Sequence, residues 1–158
     1  MNIGSLILVL MALYFIYYYN VKIINGHFNK YLKNNEIKFN LVDTRLYSIF
    51  QKLYKYEKYA KNNYYESIIN IVEFFNTYNI IKRKRKRASL NTYILQLKQY
   101  KYFASQNIES IFFSLPISKF KKIDHDIKKI NIILDFYINS ILDEFETNLY
   151  PQENNIIL

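Results

Sequence analysis

Met1–Asn20 reads MNIGSLILVLMALYFIYYYN, and from Ile3 to Tyr19 it holds no charged residue. A helix rises 1.5 Å per residue, so about 20 such residues cover the roughly 30 Å hydrocarbon core of a bilayer. Val21, Ile23 and Ile24 carry the apolar character past Lys22. Tyr14, Tyr17, Tyr18 and Tyr19 gather at the C-terminal end, where phenol rings favour the membrane-water boundary. A cleaved secretory signal wants a basic start and small residues at its cleavage site, and here four aromatics stand in that place. A buried core helix rarely runs so long without a polar residue.

The stretch therefore predicts a permanent membrane anchor over residues 1–24. Ile3, Leu6, Leu8, Leu10, Leu13, Tyr14, Tyr17 and Tyr18 are its candidate lipid contacts. Lys22, Lys30, Lys33 and Lys38 follow on the C-terminal side only. The positive-inside rule then predicts a single-pass protein with a short N-terminus outside and its body in the cytosol.

Working outward, the remaining chain reads as helix. Two Gly and two Pro in 158 residues leave few forced turns, which disfavours a many-stranded fold. Asn25-Gly26 is a turn signal that ends or kinks the first helix. Residues 34–41, NNEIKFNL, read as extended, and 25–43 as a linker. Asp43 or Thr44 caps the next helix, with an apolar stripe at Leu46, Ile49, Phe50, Leu53, Tyr56 and Ala60. Asn63 with Glu66 fits a capping-box start, and Tyr64, Ile68, Ile71, Val72, Phe75 and Tyr78 form the next stripe. These two segments read as two helices or as one long bent one.

Ser89 is a candidate N-cap for a helix carrying Leu90, Ile94, Leu97, Tyr100, Ala104, Ile108, Ile111, Phe112 and Leu115. Pro116 should stop it near Ser114. The last stripe, Ile123, Ile127, Ile130, Leu134, Tyr137, Ile141 and Phe145, should end before Pro151. The expectation is an all-α fold: a transmembrane helix, then a three- to four-helix bundle over 44–149, then a flexible tail over 150–158.

The charge is unevenly placed. All 22 Lys and Arg precede Asp135 together with eight of the 13 acids, a net +14, while Asp135, Asp143, Glu144, Glu146 and Glu153 follow with no base among them. The acidic end is thus electrostatically suited to fold onto the body or to meet a second copy. Six consecutive cations, Lys82, Arg83, Lys84, Arg85, Lys86 and Arg87, lie between two helical stripes. In a helix they would set like charges at i,i+4, so the run reads as a solvated loop. Its best functional partner is an anionic surface, where each cation near a leaflet adds about 1 kcal/mol. Nucleic acid is the rival partner. Arg87-Ala88-Ser89-Leu90 also has the form of a basophilic kinase substrate, which makes Ser89 a candidate phosphorylation site.

Enzyme chemistry finds little to stand on. The chain has no Cys, which excludes disulfides and thiolate metal sites, and only two His. Asp124-His125-Asp126 has metal-ligand types, but successive helical residues point about 100° apart and do not converge. Asp143, Glu144 and Glu146 have no complementing nucleophile, Gly-rich loop or HExxH partner. No catalytic residue, metal or cofactor is assigned. The tract YKYEKYAKNNYY, Tyr54 to Tyr65, mixes aromatics with Lys as single-strand binders do, yet several of its rings fall on the apolar stripe.

Asn, Ile, Lys and Tyr abound while Gly, Pro, Ala and Trp are scarce, a pattern that fits an AT-rich gene. An aliphatic N-terminal span followed by a basic helical body, with LNTYILQLKQY (90–100) leading to IESIFFSLPISKF (108–120), resembles the small membrane-anchored minor capsid proteins of large nucleocytoplasmic DNA viruses. An AT-rich protist, organelle or bacterium supplies the same composition. The resemblance implies a structural role between an internal virion membrane and a protein shell, and it transfers no site residue. The function expected is a non-enzymatic scaffold or tether, with a membrane and another protein, or a second copy of itself, as partners. The alternative is a membrane-held nucleic-acid-binding protein.

Overall fold

The computed structural model describes residues 2–84, 89–116 and 120–157, with side chains left aside at 20, 21, 23–25, 120, 122 and 146–157. The described residues are all-α, without a strand. They form two compact units, Met1–Lys38 and Phe39–Leu158.

The first unit is built on one helix, α1 (Ile3–Asn34), of 32 residues. Asn2 caps it by accepting from the Ser5 amide at 2.8 Å. The Asn25-Gly26 pair does not end it. One Gly within a helix costs about 1 kcal/mol, which the rungs on either side outweigh. The chain turns instead at Asn34–Glu36. There Ile37 N donates to Leu32 O at 2.9 Å and Glu36 N to Lys33 O at 3.2 Å. Glu36 takes φ 55, the left-handed cap conformation that Gly usually supplies. Toward its C-terminal end α1 becomes one-sided, with Phe28 and Leu32 buried.

The second unit is the bundle. It comprises α2 (Thr44–Leu53), a 3-10 helix (Tyr54–Tyr59), α3 (Lys61–Lys84), α4 (Leu90–Phe112) and α5 (Phe120–Ile157). Asp43 caps α2 by accepting from the Arg45 amide at 2.8 Å. The 3-10 helix separates α2 from α3, so the two stripes belong to two helices. α3 and α4 lie side by side, α4 packs on α5, and α5 reaches back to α2.

The core is aliphatic with an aromatic cluster. Leu46, Phe50, Tyr64, Ile68, Ile71, Phe74, Leu97, Ile108, Ile111, Ile130 and Leu134 are among its buried side chains. Each contributes about 1.5–3 kcal/mol by leaving water. α3 is buried on more than one face, since Ser67, Phe74 and Thr77 are enclosed along with its apolar stripe. The Ser67 hydroxyl is satisfied locally by donating to Tyr64 O at 2.7 Å.

Besides the end of α1, which lies at Asn34 inside the expected 25–43 linker, two more helix ends differ from expectation. α3 does not stop before the cations: it runs through Lys82, Arg83 and Lys84. Ile81 is buried, so core packing carries the helix to its edge. Three cations in the last turn then face the negative end of the helix dipole, which favours them there. That gain outweighs a few tenths of a kcal/mol of like-charge repulsion. At the other end, α5 continues past Pro151 to Ile157. Pro151 removes the rung to Thr147 at a cost of about 3 kcal/mol, yet the helix is continuous through it. α4 ends at Phe112, close before Pro116 as the sequence predicts.

Candidate functional site

Three features carry the charged and exposed chemistry of the chain. The first is the N-terminal half of α1. Every large apolar side chain from Ile3 to Tyr19 is exposed, from 45% at Val9 to 79% at Ile3. Ile3, Leu6, Leu8, Leu10, Leu13, Tyr14, Tyr17 and Tyr18 are all in this set. Consecutive residues point about 100° apart, so the exposure covers the whole circumference rather than one stripe. Tyr14 and Tyr18 stack one turn apart, with ring centroids 6.4 Å apart. Among the described residues, however, no helix is long and apolar enough to cross a membrane. The run Ile3–Tyr19 measures about 25 Å along the axis, short of the roughly 30 Å expected of a full span. Its sequence continuation at Val21, Ile23 and Ile24 lies outside the described side chains.

The second feature is the cationic end of α3. Lys82, Arg83 and Lys84 are exposed, and Arg85, Lys86 and Arg87 lie outside the described residues. The run is therefore not a loop throughout: its first half is the last turn of a helix. Lys82 Nζ donates to Glu144 Oε2 at 3.0 Å and lies 5.8 Å from the centre of the Tyr78 ring. That hydrogen bond from Lys82 raises its ammonium above the ordinary lysine range. Ser89 stands at the N-cap of α4 and is half-buried, but its hydroxyl makes no capping hydrogen bond.

The third feature joins α2 to α5. Asp43 accepts from Arg45 Nε at 3.0 Å and Nη2 at 2.9 Å, and from the Tyr137 hydroxyl at 2.6 Å. The Asp43 side chain is only 11% exposed. The Arg45 hydrogen bond is the main cause that lowers its carboxyl to about 2, assisted by Tyr137 and opposed by burial. Burial, then the bond to Asp43, pushes the Tyr137 phenol up to about 12. The ring is held edge-on by Phe75 and Tyr78, at 4.8 and 5.0 Å between centroids. The cap at Asp43 was legible in the sequence, but its partner Tyr137 was not. The signal was Tyr137, whose hydroxyl is the one polar group on an otherwise apolar stripe and needs an acceptor where the ring packs.

A groove of about 600 Å³ also opens between α4 and α5, lined in part by Lys101, Ser105, Asn131 and Asp135. Lys101 pairs with Asp135, and the Ser105 hydroxyl donates to Asn131 Oδ1 at 2.7 Å. These polar groups satisfy one another across the helix interface.

The remaining candidates have ordinary surroundings. Asp124 pairs with Lys128 one turn on, at 3.1 Å. Among the described residues no group of three or more His, Cys, Asp or Glu is placed to hold a metal ion. In the tyrosine-lysine tract, Tyr56 and Tyr64 are core residues. Tyr64 donates to Phe50 O at 2.7 Å, and Tyr59 is left exposed with Lys58 5.0 Å over its ring. Comparison with models of protein families, with curated proteins and with solved structures found no match.

Proposed function

We propose that the chain is a non-enzymatic, membrane-anchored helical scaffold. α1 would hold it in a bilayer, and its bundle would link that membrane to a protein assembly. The observation that carries this reading is the all-round apolar exposure of Ile3–Tyr19. Covering those side chains is worth on the order of 20 kcal/mol, so water is not their working surroundings. A protein partner of ordinary kind would cover one stripe and leave a polar face opposite. A helix apolar on every side suits lipid better.

The length of the run is compatible with insertion. A segment about 5 Å short is accommodated by local thinning and by flanking residues that reach to the interface, at fractions of a kcal/mol per Å. Tyr17, Tyr18 and Tyr19 and then Lys22 supply such flanks. The basic residues beyond the run favour a cytosolic body, or its equivalent on the inner face of a virion membrane. Lys82–Arg87 would lie against an anionic surface.

Nucleic-acid binding is the second reading. Exposed Lys82, Arg83 and Lys84 and the exposed Tyr59 favour it. Burial of Tyr56 and Tyr64 removes two rings from its best stacking tract.

Alkaline carbonate extraction of membranes carrying the full chain tests the proposal. The wild type should stay in the pellet, and Leu8→Asp with Leu10→Asp should move to the supernatant. Release of the wild type would sink the anchor. Retention on nucleic acid with a steep salt slope would instead favour the second reading.

A further inference from the structure

Lys82 at the cationic end of α3 and Glu144 on α5 are far apart in sequence and meet in space. Lys82 donates to Glu144 at 3.0 Å while lying over the Tyr78 ring. Asp143 adjoins Glu144, Glu146 and Glu153 follow in the sequence, and no Lys or Arg occurs after residue 134. Beyond Glu144 the sequence therefore carries acids and no base. The two paired side chains are 43% and 31% exposed. An ion pair so placed is weak and reversible, worth at most about five-fold in an equilibrium constant.

We propose that Glu144 is a built-in competitor for the cationic end of α3, holding Lys82 on the bundle until an anionic lipid leaflet displaces it. This rests on the reading that the run docks on an anionic surface. A leaflet rich in acidic lipid attracts each nearby cation by about five-fold. A weak, reversible contact at Lys82 does not block docking. It raises the surface charge needed before the run docks, and so biases the bundle toward the most acidic membranes. The uneven charge of the chain follows: a C-terminal stretch without a single base competes without being attracted to the same leaflet.

The test uses the full chain reconstituted in vesicles of phosphatidylcholine with increasing phosphatidylserine. The native chain has no Cys. A single Asn91→Cys at the exposed start of α4 therefore carries an environment-sensitive dye that reports docking. Glu144→Gln should strengthen docking about five-fold at fixed phosphatidylserine and move the midpoint to lower acidic-lipid content. Glu144→Asp should stay near the wild type. Glu109→Gln removes one charge elsewhere on the bundle and should leave the midpoint unchanged. The triple variant Lys82→Gln, Arg83→Gln, Lys84→Gln should lose most of the dependence on phosphatidylserine.

If the triple variant behaves as stated and Glu144→Gln leaves the midpoint in place, the competitor is refuted and the docking reading survives. Equal shifts for Glu144→Gln and Glu109→Gln refute it too, because net charge then explains the effect. If the triple variant docks like the wild type, the docking reading falls and takes the competitor with it.

Discussion

Tyr137→Phe removes a single oxygen from the contact that ties α5 to the start of α2. The hydroxyl donates to Asp43 at 2.6 Å, and a hydrogen bond to a charged acceptor contributes about 1.5–3 kcal/mol. The lower end applies here, because Asp43 keeps both hydrogen bonds from the Arg45 guanidinium. The aromatic contacts of the ring with Phe75 and Tyr78 survive the change. The expected loss is about 1.5 kcal/mol, or about 5 °C in melting temperature for a unit of this size. Asp43→Ala should cost more, about 3 kcal/mol, since the helix cap goes as well. Urea unfolding of the four proteins in the cycle, followed by far-ultraviolet circular dichroism, gives the coupling. About 1 kcal/mol or more is expected between the two positions. A coupling within about 0.3 kcal/mol of zero would refute the view that this bond joins the helices. The pH dependence supplies a second reading of the same contact. The Asp43 carboxyl sits at about 2 in the fold, below its unfolded value near 3.9. Its stabilisation is therefore complete above about pH 4 and fades as the pH falls toward 2. Asp43→Ala should flatten that part of the acid limb.

Other substitutions separate the buried tyrosines. Among the described residues the buried Tyr56 hydroxyl has no hydrogen-bond partner, so Tyr56→Phe should be neutral or stabilise the bundle by up to about 1 kcal/mol. A loss above about 1 kcal/mol in urea unfolding would contradict that environment. Tyr64→Phe, by contrast, breaks the buried bond to Phe50 O and should cost about 1–2 kcal/mol in the same assay; no loss would show the bond to be dispensable. Ile71→Ala, at a fully buried point on α3, should cost about 2–5 kcal/mol through lost burial and the cavity left behind. A loss below about 1 kcal/mol would place that residue outside the core.

The helices were legible because their apolar residues recur at helical spacing. Ile123, Ile127, Ile130, Leu134 and Ile141 read as one face and are buried as one. Spacing alone missed Phe74 and Ile138, since a helix enclosed on two sides has no single stripe. The first half of the cationic run, Lys82 to Lys84, was misread because local repulsion was weighed without the burial of Ile81 and the pairing with Glu144, which are tertiary effects. Asn25-Gly26 misled for a similar reason: a turn pair does not break a long helix when its neighbours keep their rungs. The contact of Lys82 with Glu144 was legible only as charge asymmetry along the chain. That pattern said the two ends attract but not which residues would meet.

Lipid around α1 is the central claim, and spin labels measure it directly. With no native Cys, single cysteines at Ile7, Leu8, Val9 and Leu10 of the full chain in vesicles sample every side of the helix. Lipid on all sides predicts high oxygen access and low access for a water-soluble nickel complex at all four positions. Nickel access at these positions, or shielding from both probes that repeats with the helical period, would contradict it and place α1 in water or against protein.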